Sequence, residues 1–412
     1  SGAAYNAVDP KRQSKQGIED SIEKHFQQTY EGGDKLAKPE LVRILVENAY
    51  PALEWLESMG MQFTDEVFTV LGGLWPRAHK PVEPLGTGYI NTYMNYINNH
   101  SSDIEVLLNT KATELIKEDG KIVGVKAESP EGQLIVKARN GVVLATGGFS
   151  ANVEMREKYN KIWPSLKNLN TTNHPGATGD GIIMAQAVGA NLIDMEQIQL
   201  LPMGDPETGS LSGNIEQAVE NRIFVNKEGK RFVDEGARRD VMTKALLEQE
   251  DQMMWVILDS KNYPTKDTKN NFNETIDELV AAGRAYKADT LEDLAKQIGV
   301  DPNNLIEAVN KFNEAVETGG PDEFGRTLFQ WKIDTPPFYA GARVPTVHHT
   351  MGGVEINENA QVLDVNGNVI PGLYAAGEVT GGIHGSNRLG GNALADITVF
   401  GRIAGANAAK NK

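Results

Sequence analysis

The sequence contains no cysteine in its 412 residues. Disulfide bonds, thiolate nucleophiles and cysteine-ligated metals or haem are therefore excluded. Long apolar runs are also lacking, so we expect no membrane span. Basic residues are in deficit, because 40 Lys and Arg stand against 56 Asp and Glu and the formal net charge is −16. Nucleic acids and anionic membranes bind basic surfaces, and neither is expected as a partner.

Glycine, in contrast, is abundant at 42 residues, which is typical of chains with many tight turns or close backbone approaches to a ligand. The spacing of apolar residues predicts a helix over 38–59 that ends at Gly60. Alternating apolar residues predict strands at 104–108, 121–125 and 134–136. Asp119-Gly120 is a favoured hairpin turn between the first and second of these strands.

The character of the chain changes twice along its length. Residues 141–148 predict a buried strand that runs into glycines. After residue 200, a strand at 254–258 and helices near 290–298 and 303–317 form a separate run of elements. Strands and glycines return after Pro345. The pattern predicts one α/β domain, formed by residues 1–197 and 347–412 and interrupted by a second domain at 198–346.

The strongest local signal is the glycine-rich segment 371–396. Its first part predicts a buried strand that ends at Gly377 and Glu378, where the backbone can approach a cofactor and the acid can accept from cofactor hydroxyls. Gly390 and Gly391 then lead into a helix, whose N-terminal N–H groups can face an anionic ligand edge.

Two further segments carry residues suited to chemistry. The first is Val347-His-His-Thr-Met-Gly-Gly, where paired histidines adjoin a glycine turn. The second is Arg238-Arg239-Asp240. Taken singly, His348 fits a hydrogen-bonded core histidine equally well, and the arginine pair fits a solvated charge run better.

Together these segments resemble the fumarate reductase/succinate dehydrogenase flavoprotein family. The resemblance extends over essentially the whole chain and is closest to the soluble branch of flavocytochrome c fumarate reductases and urocanate reductases. It is carried, in order, by Glu-x-x-x-Arg-Asp at 235–240, His-His-Thr-Met-Gly-Gly at 348–353, Gly-Glu-Val-Thr-Gly-Gly at 377–382 and Asn-Arg-Leu-Gly-Gly-Asn-Ala at 387–393.

The resemblance implies a fold and an activity. The fold is α/β (α+β): a Rossmann-like FAD-binding domain at 1–197 and 347–412, with an inserted capping domain at 198–346. The activity is reduction of the C=C bond of an unsaturated carboxylate, by default fumarate to succinate, with a hydride from FAD N5. A small unsaturated carboxylate is the implied ligand.

The resemblance also assigns roles to residues. It implies Arg239 as the proton donor, Glu216 as the acid that reprotonates it, and Arg222 as a candidate second arginine of that relay. Arg388 and His348 match the pair that holds a substrate carboxylate. The implied substrate-binding residues are His348, Arg388, Gly391, Leu201 and Glu216.

Cofactor and ion contacts are implied in the same way. The FAD contacts are Ser1, Gly2, Ala112, Thr146, Gly147, Asp180, His349, Glu378, Arg388, Asn392, Ala393 and Leu394. A structural sodium ion, held in some relatives, matches Thr350, Met351, Gly352, Glu378 and Thr380, which supply hard oxygen ligands.

Two departures from the family pattern leave alternatives open. The N-terminal βαβ unit with its Gly-x-Gly-x-x-Gly turn is absent, so we expect weak FAD binding, or a cofactor-free fragment without activity. In addition, Leu201 stands where fumarate reductases place a histidine, and Asn214 and Ile215 stand near the position of a threonine. A second substrate carboxylate would lose a charged hydrogen bond there, so urocanate or another acrylate is an alternative substrate.

Partners and location are the least defined expectations. No haem or FMN-attachment segment occurs in the chain, so we expect the electron donor to be a domain or protein outside it. The soluble branch of the family favours an extracellular or cell-surface location and leaves the cytoplasm open. An oxidase or steroid dehydrogenase on the same scaffold is a further alternative, although Arg239, His348 and Arg388 have no obvious use there.

Overall fold

A computed structural model describes residues 2–411 of the chain. Helices and sheets alternate along it. The helices of the described residues are α1 (Arg12–Lys15), α2 (Ile22–Gly32), α3 (Pro39–Ser58), α4 (Thr87–Asn99), α5 (Val153–Tyr159), α6 (Asp180–Ala187), α7 (Arg239–Leu247), α8 (Ile276–Ala281), α9 (Leu291–Ile298), α10 (Pro302–Thr318) and α11 (Asn392–Lys410). No helix among residues 2–411 combines the length and the apolar character needed to cross a bilayer.

The strands are shorter than most of the helices, with one exception of 13 residues. They are β1 (Tyr5–Asn6), β2 (Phe63–Phe68), β3 (Ala78–Pro81), β4 (Lys111–Glu118), β5 (Lys121–Ser129), β6 (Gly132–Lys137), β7 (Val142–Leu144), β8 (Leu192–Ile193), β9 (Ile198–Gly204), β10 (Ile223–Val225), β11 (Met254–Asp259), β12 (Tyr286–Ala288), β13 (Phe338–Thr350), β14 (Gly353–Glu355), β15 (Gln361–Leu363), β16 (Val369–Ala375) and β17 (Thr380–Gly381).

These strands form five sheets. Three of them have the orders β1-β3-β2, β4-β5-β6 and β17-β14-β8. In a fourth, β15-β16-β7, the strands β16 and β7 run parallel with Leu373 opposite Val142. The fifth has the order β10-β11-β13-β12, and β9 pairs antiparallel with the second half of β13. The mixture of parallel and antiparallel sheets with helices agrees with the expected α/β (α+β) class.

Several helices and turns that the local sequence predicts are present in the structure. Helix α3 begins after Lys38 with proline at its first turn, and it buries Leu41, Leu45 and Leu53 on one face. The hairpin between β4 and β5 turns at Asp119 and Gly120, both with positive φ. Thr290 caps α9 by accepting from the Asp293 N–H at 3.1 Å, and Asp301 caps α10 by accepting from the Asn304 N–H.

The predicted strand at 104–108 is wrong. These residues form no strand, and Leu108 is 78% exposed. A short apolar run becomes a strand only when a neighbouring strand pairs with it, and here none does. The strand at 141–148 forms only as Val142–Leu144, and Val143 is partly exposed rather than buried.

Strand β13 connects the hydrophobic cores of the molecule. Its first half packs in clusters with β11, α10 and α8, whereas Val347 belongs to the large cluster that contains α3, β16 and α11. Leu200 and Leu201, adjacent on β9, also belong to different clusters. This division runs close to the predicted boundaries at 197/198 and 346/347, which stay a prediction.

Candidate active site

A cavity of about 700 Å³ lies where β9, β13, α7 and the N-terminus of α11 meet. All five residues expected to contact the substrate line it, and so does Arg239. Their positions in the chain range from 201 to 391, so the fold rather than local sequence brings them together.

Arg239 is the first residue of α7 and is only 5% exposed. Its Nε donates to the Leu71 carbonyl at 3.0 Å and its Nη1 donates to Gln199 Oε1 at 3.2 Å. Burial and the nearby Arg388 lower its pKa well below the usual range, while Glu216 acts in the opposite direction. No carboxylate of the described residues forms an ion pair with it.

Two glycines make room for the guanidinium of Arg239. A Cβ atom on Gly72 would lie 2.5 Å from Arg239 Cγ. A Cβ on Gly390 would lie 2.9 Å from Arg239 Nη2 and would also overlap the Leu71 carbonyl oxygen. Glycine at these two positions therefore permits the close approach of α7 to the loop that precedes α11.

Arg388 lies in that loop and is 4% exposed. The only hydrogen bond that its side chain makes with the described residues is a long one, from Nη1 to the Leu389 carbonyl at 3.3 Å. Its Nε is buried without a partner. Burial lowers the pKa of Arg388 to about 10, although Glu378 and Asp396 raise it. The guanidinium stays charged at neutral pH and has donors available for an anionic ligand.

Gln199 of β9 connects the two arginines. It accepts from Arg239 through Oε1, and its Nε2 donates to the Arg388 carbonyl at 2.7 Å and to Asn387 Oδ1 at 3.2 Å. The amide is 2% exposed. Sequence reasoning missed Gln199, because a glutamine with a purely tertiary role leaves no spacing pattern.

His348 faces the same cavity from the end of β13. Its Nδ1 is 2.6 Å from Thr172 Oγ1, and its Nε2 makes no hydrogen bond with the described residues. Burial, Arg239 and Arg388 together lower the pKa of His348 well below its usual range, so the ring is neutral. Thr172 is a second residue that sequence reasoning missed, since nothing in residues 170–174 distinguishes it.

Glu216 and Arg222 form a buried ion pair at the edge of the cavity. The Arg222 Nε donates to Glu216 Oε2, and the side chains are 7% and 0% exposed for Glu216 and Arg222 respectively. Arg222 also donates to the Glu235 carbonyl at 2.6 Å. The candidate second arginine thus lies in contact with the expected relay acid.

One side of the cavity suits a flat aromatic cofactor. Tyr89 and Tyr93 of α4 line it together with Leu394 and Ile397 of α11. Helix α11 starts after Gly391, whose φ is 89°, and no side chain caps it. The Asn392 N–H donates to the Leu389 carbonyl at 3.2 Å, whereas the N–H groups of Ala393 and Leu394 bond to no described acceptor and can face an anionic ring edge. This donor set and shape fit the flavin ring of FAD.

The expected FAD contacts divide into two groups. Those that line the cavity are Gly2, His349, Glu378, Arg388, Ala393 and Leu394. Ala112, Thr146, Gly147 and Asp180 do not line it and cluster on a partly exposed surface, where a Cβ on Gly181 would overlap Thr146 Oγ1 and Lys111 pairs with Asp180. Ser1 lies outside the described residues.

Asn392, also an expected FAD contact, uses its side chain within the protein. Its side chain is fully buried. Its Oδ1 accepts from Asn6 Nδ2 and lies 2.9 Å from His25 Nε2, and its Nδ2 donates to Thr29 Oγ1 at 3.0 Å. These bonds hold the start of α11, so only the backbone of Asn392 is available to a cofactor.

The residues expected around a sodium ion adjoin the cavity. Glu378 Oε1 accepts from the Thr350 N–H at 2.9 Å and from its hydroxyl at 3.3 Å. The Thr380 hydroxyl donates to the Gly377 carbonyl. Burial raises the pKa of Glu378. Among residues 2–411, no three or more His, Asp or Glu side chains form a metal-binding group, so any ion here would depend on backbone carbonyls.

Comparison with known proteins identifies the scaffold. Residues 1–394 match the family described as FAD binding domain. The chain is 42% identical over 405 residues to an NADH:acrylate oxidoreductase of Vibrio harveyi, covering 96% of this chain and 40% of the relative. It is 39% identical to a fumarate reductase (cytochrome) of Shewanella frigidimarina, covering 98% of this chain and 69% of the relative.

A solved structure of a fumarate reductase has a similar fold. The open conformation of a flavocytochrome c3 fumarate reductase superposes with a TM-score of 0.74 at 36% identity, covering all of this chain and 71% of the other. The chain spans less than half of the Vibrio harveyi relative but more than two thirds of the Shewanella one. The chain therefore belongs to the FAD-binding domain family and, within it, to the fumarate reductase flavoproteins.

Proposed function

We propose that this chain is the catalytic body of a flavoprotein that reduces the C=C bond of a small unsaturated carboxylate. One observation carries the proposal: two buried guanidinium groups without a carboxylate partner, Arg239 and Arg388, face one cavity together with the neutral ring of His348. Buried cations without a counter-ion are costly, so their presence is best explained by an anionic ligand.

Arg388 and His348 bind the substrate carboxylate in this scheme. Arg388 contributes its unpartnered Nε and the rest of its planar fork, which matches a carboxylate. We assign the Thr172 hydroxyl as donor to Nδ1 of His348, so that Nε2 carries the hydrogen and donates to the ligand. Holding negative charge on the carboxylate in this way makes the distal alkene carbon more electrophilic.

Arg239 supplies the proton to the carbon next to the carboxylate. An arginine in water is a poor acid, but burial and Arg388 lower the pKa of Arg239. The hydrogen bonds to Leu71 and Gln199 fix Nε and Nη1, which leaves Nη2 beside Gly390 as the free edge of the group. A fixed donor with a lowered pKa is what general acid catalysis requires.

Glu216 and Arg222 return the proton to Arg239. They line or adjoin the cavity, and Glu216 is the acid whose charge acts on Arg239. The pair is buried but connected to Arg326 and Arg231 through Glu235. We propose this row of charged groups as the path by which the proton is replaced.

FAD is the cofactor that the family and the cavity support. The slot between α4 and α11, together with His349, Glu378, Ala393 and Leu394, would hold the flavin. When bound, FAD supplies the hydride of the reduction. Residues 1–197 and 347–412 form the cofactor side and 198–346 the capping side in this proposal, and the sodium ion beside Glu378 stays a prediction.

Electrons reach the flavin from a domain or protein outside these 412 residues. The Vibrio harveyi relative, of which the chain covers 40%, is named for NADH and acrylate, and the Shewanella frigidimarina relative is named as a cytochrome. The two names indicate different donors on similar catalytic bodies.

The deciding experiment is an enoate-dependent oxidation of a reduced viologen by the flavin-loaded protein. We expect viologen oxidation to depend on an added 2-enoate and to stop in Arg239→Ala with flavin content unchanged. A protein that holds flavin but reduces none of fumarate, acrylate, crotonate, cinnamate or urocanate would contradict the proposal.

A further inference from the structure

The positive charge of the cavity is confined to one end. Arg239 and Arg388 are the only Lys or Arg side chains that line it among residues 2–411. Both contact Gln199, one by its side chain and the other by its backbone carbonyl. Gly390, two residues after Arg388, lies beside the Arg239 guanidinium, since a Cβ there would be 2.9 Å from Nη2. The two cations thus share one end and cannot bind carboxylates at opposite ends of a ligand.

Strand β9 leads away from that end. Along this strand the polar Gln199, which bonds to both arginines, is followed by the apolar Leu201 and Met203. Leu201 is 0% and Met203 1% exposed, and both line the wall of the cavity together with Leu211 and Phe272. Leu201 follows Gln199 by about 6 to 7 Å along the strand, which is within the length of a short enoate.

The arginines beyond this wall, Arg343 and Arg284, bond to other parts of the protein and do not line the cavity. Arg343 donates to the carbonyls of Met203, Ser210 and Ser212, and Arg284 pairs with Asp205. Asn214 lines the cavity, its Oδ1 accepts from the Glu216 N–H at 3.0 Å, and its Nδ2 makes no hydrogen bond with the described residues. A neutral amide compensates poorly for the desolvation of a carboxylate.

We propose that the substrate is a 2-enoate with a single carboxylate, whose 3-substituent is uncharged, mainly apolar and packed against Leu201 and Met203. This inference rests on the proposed function and narrows it. A second carboxylate, as in fumarate, would be buried against methyl groups without a cation, whereas a hydrogen, methyl or aromatic ring would gain from the same wall.

The first test compares kcat/KM of the flavin-loaded protein for fumarate, acrylate, crotonate, cinnamate and urocanate, with a reduced viologen as donor. We expect kcat/KM for at least one monocarboxylate to be about 10- to 100-fold higher than kcat/KM for fumarate. If kcat/KM for fumarate equals or exceeds that for every monocarboxylate, the inference is wrong, but the proposed function still holds. Reduction of none of the five would instead remove the proposed function itself.

The second test measures binding without turnover. Titration calorimetry compares the affinities of two ligands with four carbons each. Butanoate has a methyl group at its far end, and succinate has a second carboxylate there. We expect succinate to bind about 10-fold or more weakly. Leu201→Gln should reduce the preference for butanoate over succinate, because it adds amide donors. The matched apolar variant Leu201→Met adds none and should not reduce that preference. If Leu201→Gln fails to fold, the unmodified protein still decides, because tighter binding of succinate contradicts the inference.

Discussion

Arg239 Nη1 and Gln199 Oε1 are hydrogen-bonded at 3.2 Å inside the protein. The acceptor is a neutral amide, although a carboxylate would be the stronger partner for a guanidinium. A neutral partner orients the group and stabilises its charged form less than a carboxylate would, so Arg239 keeps the lowered pKa that burial and Arg388 impose. The choice of glutamine at 199 is therefore tied to proton donation by Arg239.

Replacing Gln199 by Glu tests this relationship. The new carboxylate would pair with Arg239, raise its pKa and repel the Arg388 carbonyl that Gln199 Nε2 now contacts. We expect kcat to fall by about 10-fold or more, since general acid catalysis contributes about 100- to 10,000-fold in total. Stopped-flow rates would measure the fall. Gln197→Glu, whose side chain makes no hydrogen bond with the described residues, is the matched control and should keep wild-type rates.

Arg239→Ala removes the proposed proton donor. We expect reduction to fall by at least about 100-fold, while the visible flavin spectrum is retained because Arg239 lies on the substrate side. Arg238→Ala is the control, since that neighbouring guanidinium pairs with Asp34 and Asp240 away from the cavity. Comparable turnover in the Arg239 and Arg238 variants would refute the assignment.

Arg388→Ala removes the proposed carboxylate partner. Charge-assisted hydrogen bonds contribute about 1.5 to 3 kcal/mol each, so we expect KM for any enoate to rise by about 10- to 100-fold. Calorimetric titration with a saturated carboxylate should show the same loss in binding. An unchanged affinity would show that the carboxylate binds elsewhere.

Gly390→Ala should inactivate the protein by steric overlap. The added Cβ would meet the Leu71 carbonyl and Arg239 Nη2, which displaces the guanidinium. Gly401→Ala in α11 is the control, because nothing lies within 4 Å of a Cβ there and alanine favours a helix by about 0.5 to 1 kcal/mol. Activity assays should show a loss of enoate reduction in Gly390→Ala. Thermal unfolding should show a small gain in stability in Gly401→Ala.

His25 gives the fold an acid sensitivity that can be measured. Burial, reinforced by Arg77, lowers the pKa of His25 from 6.5 to about 3. The folded state thus favours the neutral ring, and its contribution to stability is complete above about pH 6.5 and is lost as the pH falls toward 3. At about 1.4 kcal/mol per pH unit, the loss amounts to a few kcal/mol.

His25→Gln removes this titration and keeps a donor for Asn392 Oδ1. Urea unfolding at pH 7, 5 and 4 should show a shallower loss of stability in the variant than in the parent protein. His100→Gln, at the partly exposed end of α4, is the matched control. Equal slopes for the His25 variant and the parent would contradict the buried neutral state.

The sequence contained enough information for some of these features and not for others. The resemblance to the family singled out Arg239, His348 and Arg388 through the motifs that contain them. Periodicity identified α3 because its apolar face repeats over five turns. Gln199 and Thr172 escaped, since a hydrogen bond between residues 40 or 176 positions apart has no local signature. The strand predicted at 104–108 is wrong because the prediction used only the local apolar pattern. Whether a strand forms depends on pairing with a distant segment, which that pattern does not contain.

Strand β13 has a mechanical consequence. Its first half pairs with β11 and its second half with β9, and the register with β9 shifts between Val344 and Thr346 and again between Val347 and His349. One continuous stretch of backbone therefore belongs to both cores, and it is irregular next to His348. Any bending between the cores would concentrate at these irregularities and would tilt the imidazole as the cleft widens. Ligand access and alignment of the carboxylate-binding ring would then be controlled by the same few peptide bonds.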